Sequence, residues 1–139
     1  MGAVNFAVGF EGCDYTSPSG KAYKLTGWTF EAKARQESFL EQRSFAVIDR
    51  MQCPLEEKAA ARALLAKEIG AMFACSYGSK LWDESLSAMA GVAHFFSVLA
   101  SCSFNEAQQL LSEDPEGVQE AIFKANPRYR ATAENPKGQ

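Results

Sequence analysis

Apolar and polar positions alternate near the start of the chain, where Val4, Phe6, Val8 and Phe10 are separated by Asn5, Ala7 and Gly9. That is the period of a strand with one buried face. Thr16 to Gly20, TSPSG, supplies a turn, in which Pro18 fixes φ and Gly20 tolerates a positive φ. Tyr23 and Leu25 then alternate with Ala22 and Lys24 on a short return strand. The pattern predicts a β-hairpin, with Cys13 and Tyr15 available to extend it. A lone hairpin is marginal in water, so helices or a strand from another chain must cover it.

The period changes at Gly27-Trp28-Thr29. Thr29 suits a helix N-cap and Glu31 the positive first turn. No Gly or Pro follows from Phe30 to about Gln52, which predicts a helix about 34 Å long. Glu31 and Arg35 stand at i,i+4, the favourable order for an ion pair. Phe39, Leu40, Val47, Ile48 and Met51 form its apolar stripe, widened by Phe45 and Ala46. Cys53-Pro54 ends it and starts a second helix, whose expected buried side is Ala61, Leu64, Leu65, Ile69, Met72 and Phe73. After a loop over Ser76 to Lys80, a third helix is predicted from about Leu81 to Ser101. It is apolar around most of its circumference and therefore central. Ser103 and Glu106 form an S-x-x-E capping box for a fourth helix, and Asp114-Pro115 opens a last one that stops at Asn126-Pro127.

These elements predict an α+β fold, an N-terminal β-hairpin packed on a bundle of four to five helices. Residues 1–127 form a single globular domain, with the hairpin in 1–27 and the helices in 29–126, and 128–139 form a polar C-terminal tail. The second and third helices are expected to be the core pair. At 139 residues one domain is the natural count. A composition 47% hydrophobic and 22% charged excludes a wholly disordered chain.

A net charge of −3 gives no general attraction to nucleic acid or anionic lipid. The most apolar run, Leu86 to Ala100, spans about 22 Å as a helix, short of the ~30 Å hydrocarbon core. Cys13, Cys53, Cys75 and Cys102 lack the spacing of a zinc site, and MGAVNFAVGF has neither a basic region nor a sustained apolar run. Reduced, mostly buried thiols in a cytosolic setting are the expectation.

Chemistry is sparse. His94 is the only histidine, set within the most apolar helix, and reads as a core or groove residue in preference to a general base. Asp83 and Glu84 are adjacent and diverge on a helix, unlike a catalytic pair. No G-x-G-x-x-G and no P-loop is present. The expectation is a non-enzymatic chain with no cofactor and no metal. Its candidate interface residues are Tyr15, Tyr23, Trp28, Phe30, Arg128, Tyr129 and Arg130. The last three place an aromatic between two cations, the one feature suited to single-stranded nucleic acid. A docked or solvated tail is the plainer reading.

The stretch GKAYKL followed by WTFEAKARQESFLEQRSFAVI resembles small bacteriophage proteins that act as tail assembly chaperones or minor structural proteins. They carry a G-K-x-Y-x-L strand and then a charged helix of E-x-x-L-E-x-R character. LLSEDPEGVQEAIFKANP resembles their acidic helix–turn–helix ends. The resemblance covers residues 20–51 well and 104–127 loosely. It implies a capsid- or tail-associated virion component that contacts other phage structural proteins in multiple copies. The alternative it leaves open is a transient tail assembly chaperone. The location implied is the host cytoplasm during assembly, and the virion for a structural component, with no membrane partner. A small-ligand or nucleic-acid-binding module is the competing class.

Overall fold

The computed structural model describes residues 12–126. A two-stranded antiparallel hairpin, β1 (Cys13–Thr16) and β2 (Ala22–Leu25), is followed by six helices: α1 (Phe30–Asp49), α2 (Leu55–Met72), α3 (Lys80–Ser85), α4 (Met89–Ala100), α5 (Phe104–Glu113) and α6 (Pro115–Lys124). The fold is α+β, a hairpin on a helical bundle.

The hairpin pairs Cys13 with Leu25 and Tyr15 with Tyr23. Its turn closes through Gly20 N–H to Ser17 O (2.9 Å), and Gly20 takes φ 94°, a conformation costly for residues with a Cβ. The outgoing strand is thus Cys13–Thr16, the segment expected only as an extension. The alternating run from Val4 to Phe10 lies outside the described residues. Tyr15, Tyr23 and Leu25 share the buried face. The two tyrosine rings meet the edge of Phe96 at 5.6 and 6.0 Å.

The centre of the molecule is α4. Gly91, Val92, Ala93, Phe95, Phe96, Ser97 and Leu99 are all buried, covering about two thirds of its circumference. Trp28, at the corner between hairpin and α1, packs its ring against Phe95 at 5.0 Å and donates Nε1–H to Ile122 O at 2.9 Å. Trp82 joins the same cluster from the other side, 5.5 Å from Phe95. A buried indole fits only where its N–H finds an acceptor, and the carbonyl of α6 supplies one for Trp28.

Local signals set most helix ends. Thr29 Oγ1 accepts from Ala32 N, Ser103 Oγ from Glu106 N and Asp114 Oδ1 from Gly117 N. Each satisfies a donor that a first helical turn leaves free. The Glu106 side chain plays a different part from the reciprocal one in a capping box. Its carboxylate accepts from Lys21 Nζ at 2.8 Å and from the Tyr23 hydroxyl, fastening the hairpin to α5. Tyr15 donates to Asp114 Oδ2 at 2.9 Å and fastens it to the α5–α6 corner.

Two expectations fail. The predicted third helix is broken: α3 stops at Ser85, residues 86–88 turn, and α4 starts at Met89. At this fold-back Gly91 lies so close to Ser85 that a Cβ would stand 2.1 Å from the Ser85 carbonyl oxygen. The close approach seats Trp82 in the core. The expected core pair is the second correction. α2 contains no buried residue and packs chiefly against α1. Of its expected buried side, Leu64, Met72 and Phe73 are exposed, and Ala61, Leu65 and Ile69 are half-buried. At about 100° per residue its apolar positions spread over half the circumference, wider than one neighbouring helix covers.

Candidate binding groove and exposed arm

Two features carry unassigned chemistry: a groove beside α4, and the hairpin of helices made by the C-terminal half of α1 and α2.

The groove, about 650 Å³, runs between α1 and α4 and reaches the start of α5. One wall comes from Glu31, Ala34, Arg35, Ser38, Phe39 and Gln42 on α1. His94, Ser97, Val98 and Ser101 form the other, and Cys102 and Phe104 close the end. Arg35 Nη2 pairs with Glu31 Oε1 at 2.8 Å, both well exposed, so the ion pair anticipated from their spacing forms at the groove's rim.

Behind His94 lies Gln36, fully buried. Its amide Nε2 donates to Gly91 O at 3.0 Å and to Ser85 Oγ at 3.1 Å. Ser85 Oγ has already given its own hydrogen to Trp82 O at 2.5 Å. Both amide hydrogens therefore meet acceptors, which turns Gln36 Oε1 towards His94 Nδ1, 2.7 Å away. An amide oxygen only accepts, so Nδ1 carries the imidazole proton and Nε2 keeps its lone pair. No described residue hydrogen-bonds Nε2. No buried side-chain nitrogen or oxygen among the described residues lacks a partner, so Nε2 is open to the groove. The ring stacks on Phe39, centroids 4.0 Å apart. Burial first, and the Arg35 guanidinium second, push its pKa down to about 4. It is a neutral, tautomer-fixed acceptor at neutral pH.

The arm is built differently. α2 is tied to α1 through polar groups at the surface. Arg62 Nη1 pairs with Asp49 Oδ1 at 2.7 Å, Lys58 Nζ donates to Asp49 O at 2.9 Å, and the Arg62 guanidinium lies 4.7 Å above the Phe45 ring. Meanwhile Val47, Met51, Leu55, Leu64, Met72 and Phe73 face solvent, Met72 at 75% and Phe73 at 67% exposure. Phe73 closes α2 in the left-handed region, φ 51°, a conformation that costs a residue bearing a Cβ about 1–2 kcal/mol. The chain after it is anchored again, with Tyr77 N–H donating to Glu37 Oε2 at 2.7 Å and the Tyr77 ring edge-on to Trp82.

The structure scatters the interface residues expected from the sequence. Tyr15, Tyr23 and Trp28 are interior residues and offer no contact surface, a correction to the expectation. Their rings complete the core around α4 and their polar ends are consumed by Asp114, Glu106 and Ile122 O. Phe30, in the first turn of α1, is 87% exposed. Arg128, Tyr129 and Arg130 lie outside the described residues. Sequence reasoning assigned Leu64, Met72 and Phe73 to the core. The signal against that reading was the spread of apolar and alanine positions around α2.

The four cysteines are free thiols, and burial pushes those of Cys13, Cys75 and Cys102 up, away from the reactive thiolate form. Among the described residues no three His, Cys, Asp or Glu side chains converge as a metal site, and no helix is long and apolar enough to cross a membrane. Comparison of the chain with protein-family models, curated proteins and solved structures finds no match.

Proposed function

We propose that this chain is a non-enzymatic assembly protein that works through protein–protein contacts, with the α1–α2 arm as its principal contact surface. The observation that carries the reading is α2 itself, eighteen residues of helix with no buried side chain. Isolated helices of that length are marginal in water and are normally held by a packed apolar face. Here that face is only half used by α1. Leu55, Leu64, Met72 and Phe73 remain in solvent, and each is worth about 1.5–3 kcal/mol when fully buried. A phenylalanine kept both exposed and in a left-handed conformation supports the same reading, since neither property helps the isolated fold.

The resemblance of residues 20–51 to small phage morphogenesis proteins supplies the biological setting. In it the chain is a capsid- or tail-associated virion component, present in several copies and made in the host cytoplasm. The polar, solvent-exposed fastenings of α2 favour a second reading, a tail assembly chaperone that engages its client and leaves. Quantitative mass spectrometry of finished particles and of assembly intermediates separates the two. A fixed copy number in particles supports the virion role, and presence in intermediates alone supports the chaperone. The paired substitution Leu64→Glu and Phe73→Glu is expected to preserve the melting temperature while removing the chain from both fractions. A chain absent from both without any substitution refutes the proposal.

A further inference from the structure

The groove beside α4 presents, next to aromatic rings, an acceptor that is fixed in its tautomer and has no partner among the described residues, His94 Nε2. Nothing about the arm requires it. We propose that this groove binds a neutral aromatic hydrogen-bond donor, an indole- or phenol-type group whose N–H or O–H bonds to His94 Nε2 while its ring lies against Phe39, Val98 and Phe104.

Each part of that ligand class follows from the lining. The network through Gln36, Ser85 and Gly91 fixes the imidazole proton on Nδ1, so the group facing the groove accepts and cannot donate. A carbonyl or carboxylate oxygen has no place on it. A cationic donor gains no net attraction from this wall, where Arg35 and Glu31 neutralise each other, and has to give up its hydration. A neutral N–H or O–H is left. Phe39 stacks on the His94 ring at 4.0 Å and lies 5.4 Å from the Arg43 guanidinium, contacts that hold its orientation in the wall. Phe104 stands 6.1 Å from Phe39 and inclined at 46°, an angle that leaves an edge for a third ring to pack against. The volume, about 650 Å³, lies within the range of small-ligand sites, roughly 300–1,000 Å³. A solvent-open acceptor is otherwise hydrated. A donor attached to a flat apolar ring replaces that water's hydrogen bond and also covers the phenyl rings, the condition under which displacing water gains affinity.

The same chemistry arises from a free heteroaromatic compound or from a tryptophan or tyrosine side chain of a protein, and the test distinguishes them. The full chain, labelled with ¹⁵N-histidine, gives a single imidazole spin system because His94 is the only histidine. It is titrated with indole, with 1-methylindole, and with N-acetyl-tryptophanamide. Indole is expected to shift the Nε2 resonance in the direction of an accepted hydrogen bond. Its methylated analogue, which has the ring and lacks the donor, is expected to bind about tenfold more weakly, as suits one net hydrogen bond. N-acetyl-tryptophanamide binding at least as well as indole identifies a protein side chain as the source, and its exclusion identifies a free compound. In uniformly ¹⁵N-labelled protein, His94→Phe is expected to abolish the indole effect on the backbone amide resonances of the groove residues. Should that variant fail to fold, Ala34→Trp fills the groove from α1 without touching the Gln36 network and is expected to do the same. No shift of Nε2 up to the solubility of indole, or equal binding of indole and 1-methylindole, overturns the proposal.

Discussion

Replacing Gln36 with leucine removes the one side chain that links α1, the α3–α4 turn and His94. Leucine matches the volume well, so the expected loss comes from hydrogen bonds and little from a cavity. One group is left without a partner, His94 Nδ1–H, which reaches Oε1 at 2.7 Å, while the Gly91 carbonyl, which receives Gln36 Nε2 at 3.0 Å, keeps the helical bond of its place inside α4. Ser85 Oγ loses a donor but keeps its own bond to Trp82 O. The orphaned donor costs about 1–3 kcal/mol, the lost bonds to Gly91 O and Ser85 Oγ about 1 kcal/mol each, and added apolar burial offsets about 1 kcal/mol. The net expectation is about 3 kcal/mol, a large share of a domain stability of roughly 5–15 kcal/mol. Unfolding entropy of about 2.1 cal/mol/K per residue over 139 residues converts this to a fall of about 10 °C in melting temperature. Differential scanning calorimetry reads that quantity, and ¹⁵N spectra of the single histidine read the second consequence. With Oε1 gone, nothing holds the proton on Nδ1, so both tautomers are expected to be populated. A melting temperature within about 3 °C of the parent, together with an unchanged tautomer, refutes the assignment of Gln36 as the residue that sets the state of His94.

Two further predictions concern stability. His94 stays neutral in the fold down to about pH 4, whereas an unfolded histidine titrates near pH 6.5. Between those values the unfolded chain binds the extra proton, so the stabilisation is complete above about pH 6.5 and is lost as the pH falls towards 4. The ring is partly exposed, and screening by solvent limits the effect to about 1–2 kcal/mol. Melts at pH 7 and 4.5 are expected to show a larger drop for the parent than for His94→Phe, and equal drops contradict the account. Phe73→Gly removes the left-handed strain at the end of α2 with little loss of packing, and is expected to stabilise the chain by about 1 kcal/mol in urea unfolding. An unchanged or lower midpoint contradicts the claim that Phe73 is unfavourable in the isolated fold.

How far the fold was legible depended on whether the information was local. Thr29, Ser103 and Asp114 are caps whose partners lie three residues away, and all three act as their sequence context indicates. Alternation at Tyr23 and Leu25, and the apolar circumference of α4, likewise follow from period alone. The break after Ser85 was hidden because no proline or glycine marks residues 86–88. Its cause is the close packing of Gly91 on the Ser85 carbonyl, which exists only after the chain has folded back. Periodicity also misled at α2, since an apolar residue on a helix looks the same whether a neighbour covers it or not. The tyrosines and Trp28 look like contact residues for the converse reason: a sequence does not show that Asp114, Glu106 and the Ile122 carbonyl wait for their polar ends. The groove was anticipated only in the reading of His94 as a core or groove residue. Gln36, on which its chemistry turns, stands in a charged stretch and carried no signal.

The proposed role requires another protein on the exposed side of α2. A photoreactive amino acid placed at Leu64, in the middle of α2, reads this contact, with the exposed Asn105 of α5 as the control position. After irradiation of cells in which the chain functions, a discrete covalent adduct is expected from position 64 and none from position 105. Equal background labelling at the two positions, with the chain recovered as an unmodified monomer, contradicts it.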